Sequence, residues 1–412
     1  MGCGGGKLAP ETPADRHIDW VKTVENGGGS GSGGGSGSRS GLSSAKNQYR
    51  KGDGSGIQRK PKYKAKFDQR VTAKYDIKAL IGTGSFSRVV RVEHRSTRNP
   101  YAIKMVEKRR EGKQCWEVEL NILRRVRHTN IIQLIEVFDS KDRLYMIMEL
   151  ATGGELFDRI VAKGSFNERD ATRVLQMVLE AVRYLHSLGI THRDIKPENL
   201  LYYHPGTDSK IMITDFGLAS CKKGTGDNED AMRTICGTPE YIAPEILLKK
   251  SYNQSVDIWA IGVVTYILLS GRMPFDDDNR TRLYRKILRA KYSFAHEPWK
   301  DISSSGKDFI AKLLVISPSE RMLAADALKH PWIISNAAQS SLKNLHRSIS
   351  HNWLKRTSTR SRSSKSARSV RSIRSNKSNK SNKSSRSGRS DKNRVQFNGL
   401  TDLSKEYKKE QR

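Results

Sequence analysis

Cysteine is scarce: the four thiols Cys3, Cys115, Cys221 and Cys236 show no metal-like pairing, and no secretory signal precedes them. A reduced, intracellular setting is expected. Long apolar runs are missing too. The longest, Ile258 to Ser270 (IWAIGVVTYILLS), falls short of the roughly 20 residues a membrane span needs and reads as a buried core helix. Hydrophobic residues make up only 36 % of the 412 and are unevenly spread, so one large core is expected. The stretch Asn26 to Gly41 (NGGGSGSGGGSGSRSG) has almost nothing to bury, and the segment before Tyr75 reads as a flexible leader. From Ser335 onward an Arg/Lys/Ser array nearly devoid of apolar groups cannot offset the entropy of ordering.

Acidic residues are few, 43 against 75 Lys and Arg, for a net charge of +32. Residues 1–74 carry 14 basic and 6 acidic groups, residues 334–412 carry 21 and 4, and the middle keeps only +7. The basicity therefore belongs to the ends. There it implies attraction to anionic lipid, RNA or acidic proteins, or simply a solvated charge run.

What is present between the ends is chemistry. YDIKALIGTGSFSRVVRVEH reads as a hairpin with Gly82 and Gly84 at its tip, where backbone amides can approach phosphate oxygens without an intervening Cβ. Any Gly-rich turn gives the same letters, so the weight falls on the residues C-terminal to it. Tyr101-Ala102-Ile103-Lys104 places an ammonium among apolar neighbours, costly unless paired. Glu119 on the helical stretch CWEVELNILRRVRH is the preferred carboxylate partner, with Glu117 as its rival. Further on come His192-Arg193-Asp194-Ile195-Lys196-Pro197-Glu198-Asn199, Asp215-Phe216-Gly217, Gly237 to Glu245 (GTPEYIAPE) and Asp257 to Gly262 (DIWAIG).

Together these strings resemble the complete signature set of eukaryotic protein kinases, in the expected order over about 260 residues. The resemblance implies an α+β, bilobal protein kinase fold with a small β-rich N-lobe and a larger, mainly α C-lobe. It implies ATP and Mg²⁺ as cofactors and phosphoryl transfer to a hydroxyl. On that reading Asp194 is the catalytic base, Lys196 a cation near the transferring phosphate, and Asn199 and Asp215 the magnesium ligands. Lys104, paired with Glu119, holds the phosphates. Ile81, Gly82, Gly84, Val89, Ala102, Glu149 and Glu155 complete the nucleotide site. Lys196 and Thr238 match the serine/threonine form of the pattern. One departure is Ser87, which stands where the third glycine of the loop is expected and implies tuned nucleotide affinity. Leu123, Leu134, His192 and Phe216 match the apolar spine joining the lobes, and Arg321 is expected to pair with Glu245.

Tyr145 to Leu150 (YMIMEL) and Gly153 to Ile160 (GGELFDRI) are similar to the calcium/calmodulin-dependent group, and the LYYHPGTDSK insert and LKNLHRSIS tail resemble the PSKH protein serine kinases. Glu155 and Glu198 then imply a preference for substrates with arginine three residues before the phosphoacceptor. Glu155 could equally serve the ribose or a helix cap. Thr234 is the expected activation-loop phosphosite, with Thr225 as alternative and Arg193 as its partner.

The resulting organisation is a disordered, acylated leader over 1–74 and a kinase domain over 75–333, with lobes at about 75–148 and 152–333. A possible basic amphipathic regulatory helix over 334–356 and a disordered tail over 357–412 complete the chain. Met1-Gly2-Cys3 predicts myristoylation of Gly2 and palmitoylation of Cys3, with Gly6 where the motif prefers Ser or Thr. The chain is thus expected at the Golgi or plasma membrane, with a nuclear pool, as a monomer. Leu342, Leu345, Ile349 and Trp353 recur at helical spacing and suit either calmodulin or docking beneath the domain. Ser350 and Thr359 each lie three residues after an arginine and five after a leucine, which predicts autophosphorylation. A rival reading makes the basic tail a scaffold for RNA or splicing factors, with catalysis secondary.

Overall fold

The computed structural model describes residues 67–84, 87–108, 113–221, 237–337 and 343–354. The expectations for Gly2, Cys3, Thr225, Thr234, Leu342, Thr359 and both basic ends lie outside the described residues.

The first lobe is one antiparallel sheet. A short helix, α1 (Gln69–Lys74), leads into β1 (Tyr75–Thr83), β2 (Ser87–His94) and β3 (Pro100–Glu107). After helix α2 (Lys113–Arg125) come β4 (Leu134–Asp139) and β5 (Arg143–Glu149), giving the order β1-β2-β3-β5-β4. The alternation of strand side chains divides this sheet. Val90, Val92, Ile103, Met105, Tyr145 and Ile147 form one small core with Val71 and Tyr75. Val106, Met146 and Met148 instead join Leu120 and Leu123 of α2 in the main core. Ala102 and Lys104 belong to this second face. Lys104 pairs in register with Val89 and Met146, so the pleat itself aims the ammonium at α2.

The second lobe is helical, as the resemblance implies. It contains α3 (Leu156–Lys163), α4 (Glu168–Ser187), α5 (Ser255–Ser270), α6 (Arg280–Leu288) and α7 (Ser304–Leu313). Two-residue strands β6 (Ile190–Thr191) and β9 (Ser220–Cys221) pair with each other, as do β7 (Leu200–Tyr202) and β8 (Ile211–Ile213). Asn167 and Asp170 form a reciprocal capping box that starts α4. All residues of α5 are buried, including the apolar run from Ile258, as expected for a helix hydrophobic all round. Arg321 donates to Glu245 through both terminal nitrogens, at 2.8 and 3.1 Å, and to the Ser255 carbonyl. Among the described residues, no helix is long and apolar enough to cross a membrane.

The segment at 343–354 docks on this lobe. It is helical over 346–354, and Leu345, Ile349 and Trp353 are buried in the main core. The Trp353 ring stacks on Phe157 at 4.5 Å. The Leu345 amide donates to the Phe166 carbonyl, and the Phe166 amide donates to Asn344 Oδ1. Gly271, with φ 69°, closes α5 where a Cβ would lie 2.5 Å from the Ser348 carbonyl oxygen. The amphipathic pattern thus records a docked strap. Trp353→Ala should destabilise the large lobe by about 3–5 kcal/mol, seen as a lowered urea midpoint. An unchanged midpoint would mean that the strap adds nothing.

Candidate active site

A cavity of about 420 Å³ lies between the sheet and the helical lobe, within the size range of small-molecule and cofactor sites. Its roof comprises Ile81, Gly82 and Gly84 of the first hairpin together with Val89 and Ala102. Met148, Glu149, Leu150 and Ala151 form its rear edge, and Leu201 part of its floor. The Gly84 amide donates to the Ser87 carbonyl at 2.8 Å, and a Cβ on Gly84 would lie 2.7 Å from Ser87 Oγ. Ser87 is therefore compatible with the backbone bond that joins it to Gly84.

At the inner end, Lys104 Nζ donates to Glu119 Oε1 at 2.5 Å and to Asp215 Oδ1 at 3.0 Å. The structure selects Glu119 and not Glu117, because Glu119 is buried on the face of α2 that also carries Leu120 and Leu123. Burial alone would depress the lysine pKa, but the charges of Glu119 and Asp215 outweigh it and raise it above the ordinary range. Burial opposes ionisation of Asp215 as well, and there the Lys104 ammonium wins and lowers the pKa. Lys104 and Asp215 therefore both stay charged at neutral pH.

The donor set fits magnesium and a nucleotide phosphate. Asn199 spends its amide nitrogen on the Asp194 carbonyl at 2.9 Å and on Asp194 Oδ2 at 3.1 Å. Its oxygen is the atom left to offer a cation. Asp215 adds a carboxylate beside the lysine, and no cluster of three or more His, Cys, Asp or Glu that could hold a metal occurs among the described residues. Two protein oxygens suit Mg²⁺, which keeps waters and takes phosphate oxygens for its remaining positions. Glu119 Oε2 is buried with no hydrogen-bond partner among the described residues, so the polar capacity of this end is not exhausted.

Asp194 is buried beside Asn199, which lines the cavity, and Lys196 Nζ lies 2.6 Å from its Oδ2. Lys196 also donates to Thr238 Oγ1 at 3.2 Å, and Thr238 Oγ1 lies 3.4 Å from Asp194 Oδ1. The loop bearing Asp194 is held from below. Asp257, in the first turn of α5, accepts the amides of His192 at 2.9 Å and Arg193 at 2.8 Å, and contacts His186 Nε2 at 3.0 Å. Burial would raise the Asp257 pKa, but His186 and the other donors turn the shift downward. This fixed hold accommodates Arg193 at φ 66°, an uncommon conformation for a side-chain-bearing residue. The Arg193 guanidinium bonds the Leu218 carbonyl and the Tyr252 hydroxyl. His192, itself buried, meets Phe216 edge to face at 4.8 Å, and Phe216 lies in the main core with Leu123 and Leu134.

Glu155 caps α3 in sequence position only: its side chain makes no capping bond. It does not line the cavity but pairs by one bridge with Leu201. Burial, with Asp158 and Glu198 adding repulsion, pushes its pKa up to about 7. Sequence reasoning passed over Leu201 and Thr214, which line the cavity, and the anchoring role of Asp257. The signal for Asp257 was a carboxylate opening the most apolar helix of the chain, where it had to find donors.

The sequence profile described as protein kinase domain matches residues 75–333. The chain is 62 % identical to "Serine/threonine-protein kinase H1" of Homo sapiens over 387 residues, covering 88 % of this chain and 91 % of that protein. It is 55 % identical to "Serine/threonine-protein kinase H2" of Homo sapiens over 366 residues, covering 88 % and 91 %. A more distant relative is "Calcium/calmodulin-dependent protein kinase type 1" of Macrobrachium nipponense, 47 % identical over 295 residues, or 71 % and 83 %.

Asp257→Asn keeps the shape of the anchor but removes the charge that two amides and His186 share. It should lower kcat by about 10-fold or more, the scale of a hydrogen bond to a charged group, with KM for nucleotide little changed. Equal losses in both constants would place the effect elsewhere.

Proposed function

The chain belongs to the protein kinase family and is a protein serine/threonine kinase, and we propose that it phosphorylates Ser or Thr preceded by arginine three residues upstream, using ATP and magnesium. The observation that carries the substrate preference is Glu155, a carboxyl whose ionisation is opposed first by burial and then by Asp158 and Glu198. An arriving guanidinium relieves that repulsion and gains a charge-assisted, bidentate pair.

Magnesium-bound ATP supplies the phosphoryl group and neutralises its charge. Lys104, fixed by Glu119, grips the phosphates, while Asn199 and Asp215 supply oxygens to the cation. Asp194 orients the substrate hydroxyl and accepts its proton, and Lys196 and Thr238 hold that carboxylate in place. Ile81, Gly82, Gly84, Val89, Ala102 and Glu149 enclose the nucleotide.

The regulatory reading extends the same activity to the chain itself. Thr359, a short way beyond the docked strap, is a target for autophosphorylation. Ser350 is a conditional one, because its Oγ bonds His346 Nε2 at 2.8 Å while Leu345 beside it is buried. Calmodulin would find its apolar anchors only on a released strap. Phosphate on Thr234 would engage Arg193 in place of its present carbonyl partners. Acylation of Gly2 and Cys3 would hold the enzyme at Golgi or plasma membrane, since two chains anchor where one does not. The basic tail adds attraction to anionic lipid, RNA or acidic proteins, and a pool released from membrane could enter the nucleus.

The pH dependence tests the substrate site. Glu155 is neutral below about pH 7 and ionised above it, so kcat/KM for a peptide with arginine at the third upstream position should rise across that pH. The same peptide with alanine there should show no such step. Glu155→Gln should abolish the step and lower kcat/KM for the arginine peptide by about 10-fold or more. Equal rates on both peptides would refute the preference. Mass spectrometry after incubation with MgATP should find phosphate at Thr359 in wild type and none in Asp194→Asn. Gly2→Ala should leave the membrane fraction, and retention there at the wild-type level would exclude acylation as the anchor.

A further inference from the structure

Helix α2 carries Glu119, yet its two ends are secured very differently. At the C-terminal end, the Arg127 amide beyond the helix bonds the Tyr184 hydroxyl at 2.9 Å, and His128 stacks on Tyr184 at 5.1 Å. Arg125 donates to Cys221 Sγ at 3.0 Å, and Val126 is fully buried. The N-terminal end starts at Lys113, and its first turn contains no acidic residue to meet the helix dipole. Among the described residues, what secures it is Trp116, 8 % exposed and grouped with Val106, Leu120 and Leu144 in the main core.

The face of the Trp116 ring is covered by a cation. Lys108 Nζ stands 4.6 Å from the ring centroid and forms an ion pair with Asp139 at the end of β4. The Lys108 amide donates to the Asp142 carbonyl at 3.0 Å, which ties the base of this side chain to the β4–β5 turn. Trp116 and Glu119 are three residues apart and so share one face of α2. Lys104 and Lys108 are four apart on the chain that leaves β3. The same stretch thus meets the same helix face twice, once by Lys104 on Glu119 and once by Lys108 on Trp116. A single contact lets a helix pivot about it, and a second contact one turn away fixes its angle.

We propose that the Lys108–Trp116 cation–π contact is the positioning pair that holds Glu119 against Lys104, and that it acts on nucleotide grip without touching nucleotide. The inference rests on the proposed role of Lys104 in holding ATP phosphates. Asp139 keeps Lys108 over the ring, and the indole gives the contact both its apolar body and its negative face.

The test uses full-length chain carrying Lys108→Met, Trp116→Leu, the pair together, and the conservative Lys108→Arg and Trp116→Phe. Two kinds of measurement are made: MgATP affinity by thermal shift without peptide, and steady-state kinetics giving kcat and the KM values for ATP and for peptide. Each disruptive change should weaken MgATP affinity and lower kcat/KM for ATP by about 2- to 30-fold, the range of a cation–π contact, with KM for peptide unchanged. The double variant should lose no more than the worse single one, and Lys108→Arg should restore most of the loss. Wild-type nucleotide constants in Lys108→Met, or losses that multiply in the double variant, overturn the proposal. Lys108 lies outside the main core, so Lys108→Met and Lys108→Arg decide the matter even if Trp116→Leu fails to fold. Wild-type turnover reports separately on the kinase activity, and MgATP binding reports on this pair whether or not peptide is turned over.

Discussion

A lysine ammonium, nearly enclosed, is met by one carboxylate from helix α2 and another from the Asp215 loop of the helical lobe. Removing Glu119, its buried partner, would leave a buried charge, which costs about 3–5 kcal/mol. Three separate stretches of chain must therefore arrive together before the interior is electrostatically satisfied. The cavity above Lys104 exists because the sheet, α2 and the Asp215 loop close around that charge. Asp215 itself sits at φ 60°, an uncommon backbone state held in part by its bond to Lys104. Nucleotide phosphate is the natural further partner for a cation placed this way.

The second constraint is rigidity below the site. Asp257 holds the loop of Asp194 by two backbone amides, and α5, which bears Asp257, is buried along its whole length. Arg321, Glu245 and Ser255 tie the start of the same helix to the rest of the lobe. The strap at 343–354 closes its far end, where Ser348 and Ile349 lie against Gly271. Asp194 thus stands on a chain of contacts running through the lobe, so small losses far from the cavity should be felt in turnover.

Much of this was legible in the sequence because the relevant residues come in short strings with fixed spacing. Asp194, Lys196 and Asn199 lie within six positions, so local backbone geometry alone nearly fixes their relation. The glycine hairpin and the apolar helix at 258–270 were legible by the same logic. Glu119 was preferred over Glu117 in the sequence already, and the pleat of β3 does bring Lys104 onto that carboxylate. The strap shows the opposite case. Its spacing announced an apolar face, but only the structure reveals that Phe157 and Phe166 of the same chain cover it. Contacts such as Lys108 on Trp116 have no spacing rule at all, because one residue follows β3, the other lies in α2, and either reads singly as an ordinary surface or core group.

The central claim is that Lys104, held by Glu119, and Asp194, held by Asp257, act together on a phosphoryl group. Transfer of labelled γ-phosphate from MgATP to a serine peptide, measured for wild type, Lys104→Met and Asp194→Asn, tests it directly. Wild type should label the peptide, and each variant should fall close to background. Labelling by Lys104→Met or Asp194→Asn at the wild-type rate would contradict the account.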